Sequence, residues 1–115
     1  LRPIAHEPTN VTGLSHVSGA LSMARAAPGT ATADFFIVLG DLVSLDAIPG
    51  SQAADPAADA GYAVFGRVIA GMELVKNMLE LPRATTPAAT AAMQGQMLAK
   101  PVKIVTARIV ETAAP

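Results

Sequence analysis

The large apolar residues of this sequence come in short bursts, each cut off within a few positions by glycine, proline or a charge. The longest burst, residues 35–39, reads Phe-Phe-Ile-Val-Leu and stops at Gly40-Asp41. A membrane-spanning helix needs about 20 consecutive apolar residues, so the chain reads as soluble. Nine glycines and nine prolines among 115 residues favour short strands joined by turns, since proline removes a backbone donor and glycine opens positive φ. At this length a single domain, 1–115, is expected. Alanine inflates the apolar fraction of 51% while burying little area, so the core must come from Leu, Ile, Val, Met and Phe.

Those residues mark four segments. Residues 19–24, with Ala20, Leu21 and Met23 ahead of Pro28-Gly29, read as a strand and then a turn. Residues 34–39 are β-branched and aromatic and too short for a helix, so they read as a buried strand. Residues 62–69 alternate, with Gly66 suggesting a bulge or a close backbone approach. From Gly71 the period changes: Met72, Val75, Met78 and Leu79 line one side and Glu73, Lys76, Asn77 and Glu80 the other. This is one amphipathic helix stopped before Pro82. Residues 101–112 carry apolar residues on both alternating sides, as a strand gripped by neighbours would. Residues 1–18 read as loop, 47–61 as a surface loop insertion, and 83–100 as a loop before the last strand, with Met93 and Met97 spaced for at most one helical turn. A mainly β chain of this kind closes into a barrel or a sandwich.

The balance of charge excludes several functions. A formal charge of -1 leaves no basic footprint for a nucleic acid. The absence of cysteine removes disulfides, thiolate metal sites and a thiol nucleophile without settling the compartment. His6 and His16 lack metal-ligand spacing and read as surface loop residues. Ser15, Ser18, Ser22, His16 and Asp34 supply hydrolase residue types, but no Gly-x-Ser-x-Gly elbow accompanies them and Ser22 falls mid-strand. There is no phosphate-binding glycine motif.

A linked set of motifs carries more information than any of these. Ser22-Met23-Ala24 is followed by a polar turn, then Asp34-Phe35-Phe36-Ile37, Leu45-Asp46, Val64-Phe65-Gly66-Arg67-Val68, and Gly71-Met72-Glu73-Leu74-Val75. In order, spacing and residue type, residues 19–81 resemble the cyclophilin family of peptidyl-prolyl isomerases. Residues 102–110 are similar to the family's last strand, and 3–7 to a loop of its bacterial members. The resemblance implies a closed antiparallel β-barrel capped by helices, present here without its N-terminal strands and first helix. It also implies that the family's catalytic arginine lies upstream of Leu1, so none of the residues of this chain is expected to be catalytic. Leu1 in place of Met fits a chain that begins part-way. An incomplete barrel has unpaired edges, so further residues or a partner are expected to cover it.

The implied reaction makes and breaks no covalent bond. Rotation about a peptide bond costs about 18–20 kcal/mol in lost amide resonance, and a catalyst needs an apolar seat for the proline ring plus a fixed donor to the twisted amide. No cofactor is required. By resemblance, Phe36 is the floor of the seat, Leu45 its wall and Tyr62 its edge. Ala24, Arg25 and Ala26 form the strip that offers backbone groups to the peptide. Asp34 stands where the family has glutamine, and a carboxylate accepts but does not donate. Phe65, Met23 and Met72 are expected to pack, and Asp46 to serve a turn. Ser44 replaces an indole of some members, so weak binding of the cyclic-peptide inhibitor is expected. Partners are proline-containing polypeptides, with no nucleic acid and no membrane. Ala, Pro and Thr-rich insertions favour the periplasm over the cytoplasm, with the compartment otherwise open. The alternative to an isomerase is a non-catalytic peptide-binding or chaperone module of the same fold.

Overall fold

The computed structural model describes residues 1–48, 60–84 and 95–111. Most of the 47–61 insertion and of the 83–100 loop, including Met93, lies outside them. The chain divides into two units, Leu1–Lys76 and Asn77–Pro115, each taken by itself.

The first unit is built on three strands, β1 (Ala20–Met23), β2 (Phe35–Ile37) and β3 (Val64–Arg67). They form an open antiparallel sheet in the order β2-β1-β3. On β1, side chains alternate between faces, and Ala20 and Ser22 are the two that bury. Opposite them stand Phe36 beside Ser22 on β2 and Val64 beside Ser22 on β3. Ala20, Val38 and Val64 make the buried apolar cluster, with Phe36 packed against it. Pairing continues beyond the strands. Gly19 N–H donates to Val38 O at 2.7 Å, Val38 N–H to Ala20 O at 2.9 Å, and Met23 N–H to Ala63 O at 3.0 Å.

The bulge anticipated from Gly66 is present. Leu21 faces Gly66 while Ser22 faces Val64, which leaves Phe65 as the extra residue of β3. Phe65 is 51% exposed and meets Phe35, 45% exposed, edge-to-face at 6.3 Å on the far side of the sheet. Two expectations are therefore corrected: β2 is an edge strand and not a buried one, and Phe65 is not core. The reason is that among the described residues nothing covers this face.

Two short α-helical pieces accompany the strands in sequence. Within the stretch read as loop, α1 (Thr9–Thr12) makes a single turn closed by Gly13 N–H to Thr9 O at 2.9 Å. The periodic segment forms α2 (Met72–Asn77). Met72 and Val75 are half-buried and Glu73, Lys76 and Asn77 exposed, as the pattern implies; Leu74, which the pattern assigned to neither side, is exposed as well. Gly19 lies against Val68 and the Met72 sulfur.

In the second unit the expected helix is corrected: a 3-10 turn, Met78–Glu80, takes the place of its last α-helical turn and leaves Leu79 51% exposed, and only the stop before Pro82 is as anticipated. An isolated antiparallel bridge joins Arg83 to Leu98, with Ala84 N–H on Met97 O at 2.7 Å and Ala99 N–H on Pro82 O at 2.9 Å. The last strand is a further correction. Residues 101–111 take no strand assignment and all are exposed, Ile109 at 97%. Their two-sided apolar alternation needs a hydrogen-bonded neighbour to become a strand, and the described residues offer none.

Candidate functional site

Phe36 packs against the buried cluster of the sheet and keeps partial exposure. Its ring is held from two directions. Tyr62 stands edge-on to it, centroids 5.7 Å apart and planes at 86°. The His16 imidazole lies nearly parallel to it, at 6.2 Å and 12°. Offset stacking and edge-to-face contact are the favoured aromatic geometries.

Tyr62 is positioned by its backbone and by Arg25. Its N–H donates to Leu45 O at 2.9 Å, which ties it to the 3-10 turn Val43–Leu45. The Arg25 guanidinium sits 4.5 Å from the Tyr62 ring centroid, a cation–π contact. It also donates to Gly61 O and, at 3.1 Å, to Ala26 O. Gly61 is required here for two reasons. Its φ is +66°, and a Cβ would come within 2.6 Å of both Leu45 O and Ala47 N.

Behind Phe36 lies a polar network that the sequence did not reveal. His16 and Ser22 are completely buried. His16 Nδ1 is 2.6 Å from Asp46 Oδ1, its Nε2 is 2.8 Å from Ser22 Oγ, and its backbone N–H donates to Asp46 Oδ1 at 2.9 Å. Ser15 Oγ donates to Asp46 Oδ2, and Ser22 Oγ lies 3.3 Å from Ala63 O. A carboxylate only accepts, so the proton facing Asp46 resides on Nδ1. Burial raises the Asp46 carboxyl pKa, but the hydrogen bonds from Ser15 and from the His16 side chain and backbone, together with attraction to His16, outweigh it. The carboxyl lies below its ordinary value of 3.8.

Ser22, His16 and Asp46 thus stand in the order of a hydrolytic triad, yet they cannot act as one. A nucleophile must reach the substrate, and Ser22 is sealed beneath the sheet with no exposure. The network is architectural. It corrects the reading of His16 as a surface residue, and it gives Asp46 a larger part than a turn residue. The signal that could have marked it, Asp46 inside the motif set and His16 just ahead of its first segment, carries no spacing rule. The two residues meet only through the fold.

The other residues singled out by sequence divide into two groups. Arg25, Phe36 and Tyr62 are brought together by ring contacts, and Leu45 joins them through its backbone oxygen, which accepts the Tyr62 N–H. Asp34 and Ala26 are exposed. Asp34 O accepts the Ala24 N–H at 2.9 Å, which extends the β1–β2 pairing, and Ala26 N–H is taken by Thr30 Oγ1 at 3.1 Å. Ser44 is exposed on the 3-10 turn.

Comparison with known proteins agrees with this arrangement of motifs. Residues 1–109 match the family described as cyclophilin type peptidyl-prolyl cis-trans isomerase/CLD. A peptidyl-prolyl cis-trans isomerase of Acinetobacter baylyi is 39% identical over 108 residues, covering 93% of this chain and 50% of the relative. Peptidyl-prolyl cis-trans isomerase A of Dickeya dadantii is 38% identical over 80 residues, covering 69% of this chain and 37% of the relative. The chain thus spans half or less of the length of these relatives. A family match reaching from Leu1 to Ile109, over the same motifs that surround Phe36, makes this chain a member of the cyclophilin family.

Proposed function

We propose that the protein is a peptidyl-prolyl cis-trans isomerase that accelerates rotation about X-Pro bonds of polypeptides without a cofactor. In this reading the proline ring packs on Phe36, with Leu45 as wall and Tyr62 as edge, while the peptide runs beside Ala24, Arg25 and Ala26. Burying an apolar ring against such a seat is worth about 1.5–3 kcal/mol, enough to hold the residue while the amide twists. Arg25 is not the donor to the twisted nitrogen, since its guanidinium is spent on Gly61 O and the Tyr62 ring.

The observation that carries this reading is the half-exposed Phe36 ring, gripped by Tyr62 and His16, in a chain of this family. The same reading makes the three strands one part of the family's closed antiparallel barrel. The open face carrying Phe35 and Phe65 then turns toward the barrel interior.

A protease-coupled or NMR exchange assay on the full-length protein tests the proposal. Acceleration of cis-trans exchange in an X-Pro peptide is the expected result. Peptide binding with no acceleration would instead identify a binding module.

A further inference from the structure

We propose that His16 is a positioning residue for the proline seat, setting the plane of the Phe36 ring from behind. The inference rests on reading Phe36 as that seat.

Rotation of a phenylalanine ring about χ2 is only broadly restrained by its own covalent structure. A half-buried Phe36 therefore takes its plane from its neighbours. Tyr62 touches it with an edge, and the only ring lying parallel to it among the described residues is His16. A ring can orient another only if it is itself fixed. His16 is fixed at three atoms: the backbone N–H and Nδ1 on Asp46 Oδ1, and Nε2 on Ser22 Oγ. Asp46 is in turn held by Ser15 on its other oxygen. Ser22 is the β1 partner of Phe36 itself, so the same cross-strand pair that carries the seat also anchors the imidazole beneath it. With both ring nitrogens engaged, a flip of the completely buried imidazole would break two hydrogen bonds at once, and an unmade bond at a buried group is costly.

The consequence is a division of labour. His16 touches no substrate, yet it should set how well the seat fits a proline ring, because misplacement of about 1 Å can cost about 100-fold in rate. Asp46→Asn retains an oxygen that accepts both His16 donors, whereas Asp46→Ala frees the imidazole.

The experiment measures KM and kcat for an X-Pro peptide in the full-length protein, with the aromatic ring signals of Phe36 followed by NMR. The variants are Phe36→Ala, His16→Ala, Asp46→Ala, Asp46→Asn and the double variant Phe36→Ala with His16→Ala. In His16→Ala and Asp46→Ala, KM is expected to rise about tenfold, within the range that a misplaced seat permits, and the Phe36 ring signals to shift. Asp46→Asn should stay close to the parent, and His16→Ala should add nothing once Phe36 is gone.

Unchanged KM and ring signals in His16→Ala, with Phe36→Ala impaired, would overturn the positioning role while leaving the seat intact. An unimpaired Phe36→Ala would overturn the seat itself. If His16→Ala does not fold, Asp46→Ala decides, and an unchanged KM there overturns the proposal. So does an Asp46→Asn variant as impaired as Asp46→Ala, because it would point to charge and not to orientation.

Discussion

Asp46 Oδ1 receives both the backbone N–H and the ring Nδ1–H of His16, at 2.9 and 2.6 Å, across thirty positions of sequence. One carboxylate oxygen thereby pins the chain just ahead of β1 to the turn that follows β2. Its pKa, lowered by hydrogen bonds and by the nearby His16 against the opposing effect of burial, links this fastening to acidity. The folded carboxyl binds a proton less readily than the unfolded one. Stability from this group is therefore fully present above the ordinary value of 3.8 and is lost as pH falls below it, through the lower folded-state pKa. Thermal melts of the full-length protein between about pH 2 and pH 5 should show this loss, and Asp46→Asn should lessen it. Parallel curves for the parent and the variant would contradict the assignment.

Gly61→Ala should be among the most damaging single substitutions near the site. A Cβ there would press on the Leu45–Ala47 backbone at 2.6 Å, and φ is +66°. Alanine is strained at positive φ, so a loss of more than about 1 kcal/mol in unfolding free energy is expected. Denaturant titration would measure it, and the Tyr62 N–H to Leu45 O bond should lose protection from hydrogen exchange in the same variant.

Arg25 offers a test of which contacts matter for chemistry. Arg25→Ala removes the cation–π contact with Tyr62 and the donor to Gly61 O, which should cost about 0.5–1 kcal/mol for the ring contact. Because the guanidinium braces Tyr62 and Gly61 O, and in the proposed reading is not the donor to the twisted amide, kcat/KM should fall only about fivefold or less, the equivalent of that energy. A collapse of several orders of magnitude would mean that Arg25 is itself catalytic.

Asp34 is exposed and contributes only its carbonyl to the sheet. Asp34→Gln should therefore leave stability within about 0.5 kcal/mol. It supplies an amide donor at the position where the resemblance implies a glutamine, and in the proposed reading kcat/KM should rise. An unchanged or lower kcat/KM would show that this position does not contact the peptide.

The strands around Leu21, Phe36 and Val64, the bulge near Gly66 and the Met72–Val75 face of α2 were legible because each is encoded by a local period or a local breaker. The His16–Asp46–Ser22 network was not, since hydrogen-bond partners thirty positions apart are chosen by the fold and leave no periodic trace. Residues 101–111 show the reverse. Their alternation was readable, yet pairing is a property of two strands, and Val105 and Ile109 remain exposed for want of a neighbour among the described residues. Phe65 follows the same logic: an apolar residue on a strand is core only if something covers its face.

The most direct measurement is an intermolecular NOE experiment on the full-length protein bound to an X-Pro peptide. Pyrrolidine ring protons should show contacts to the Phe36 and Tyr62 rings. A bound peptide whose proline protons touch neither ring would contradict the account.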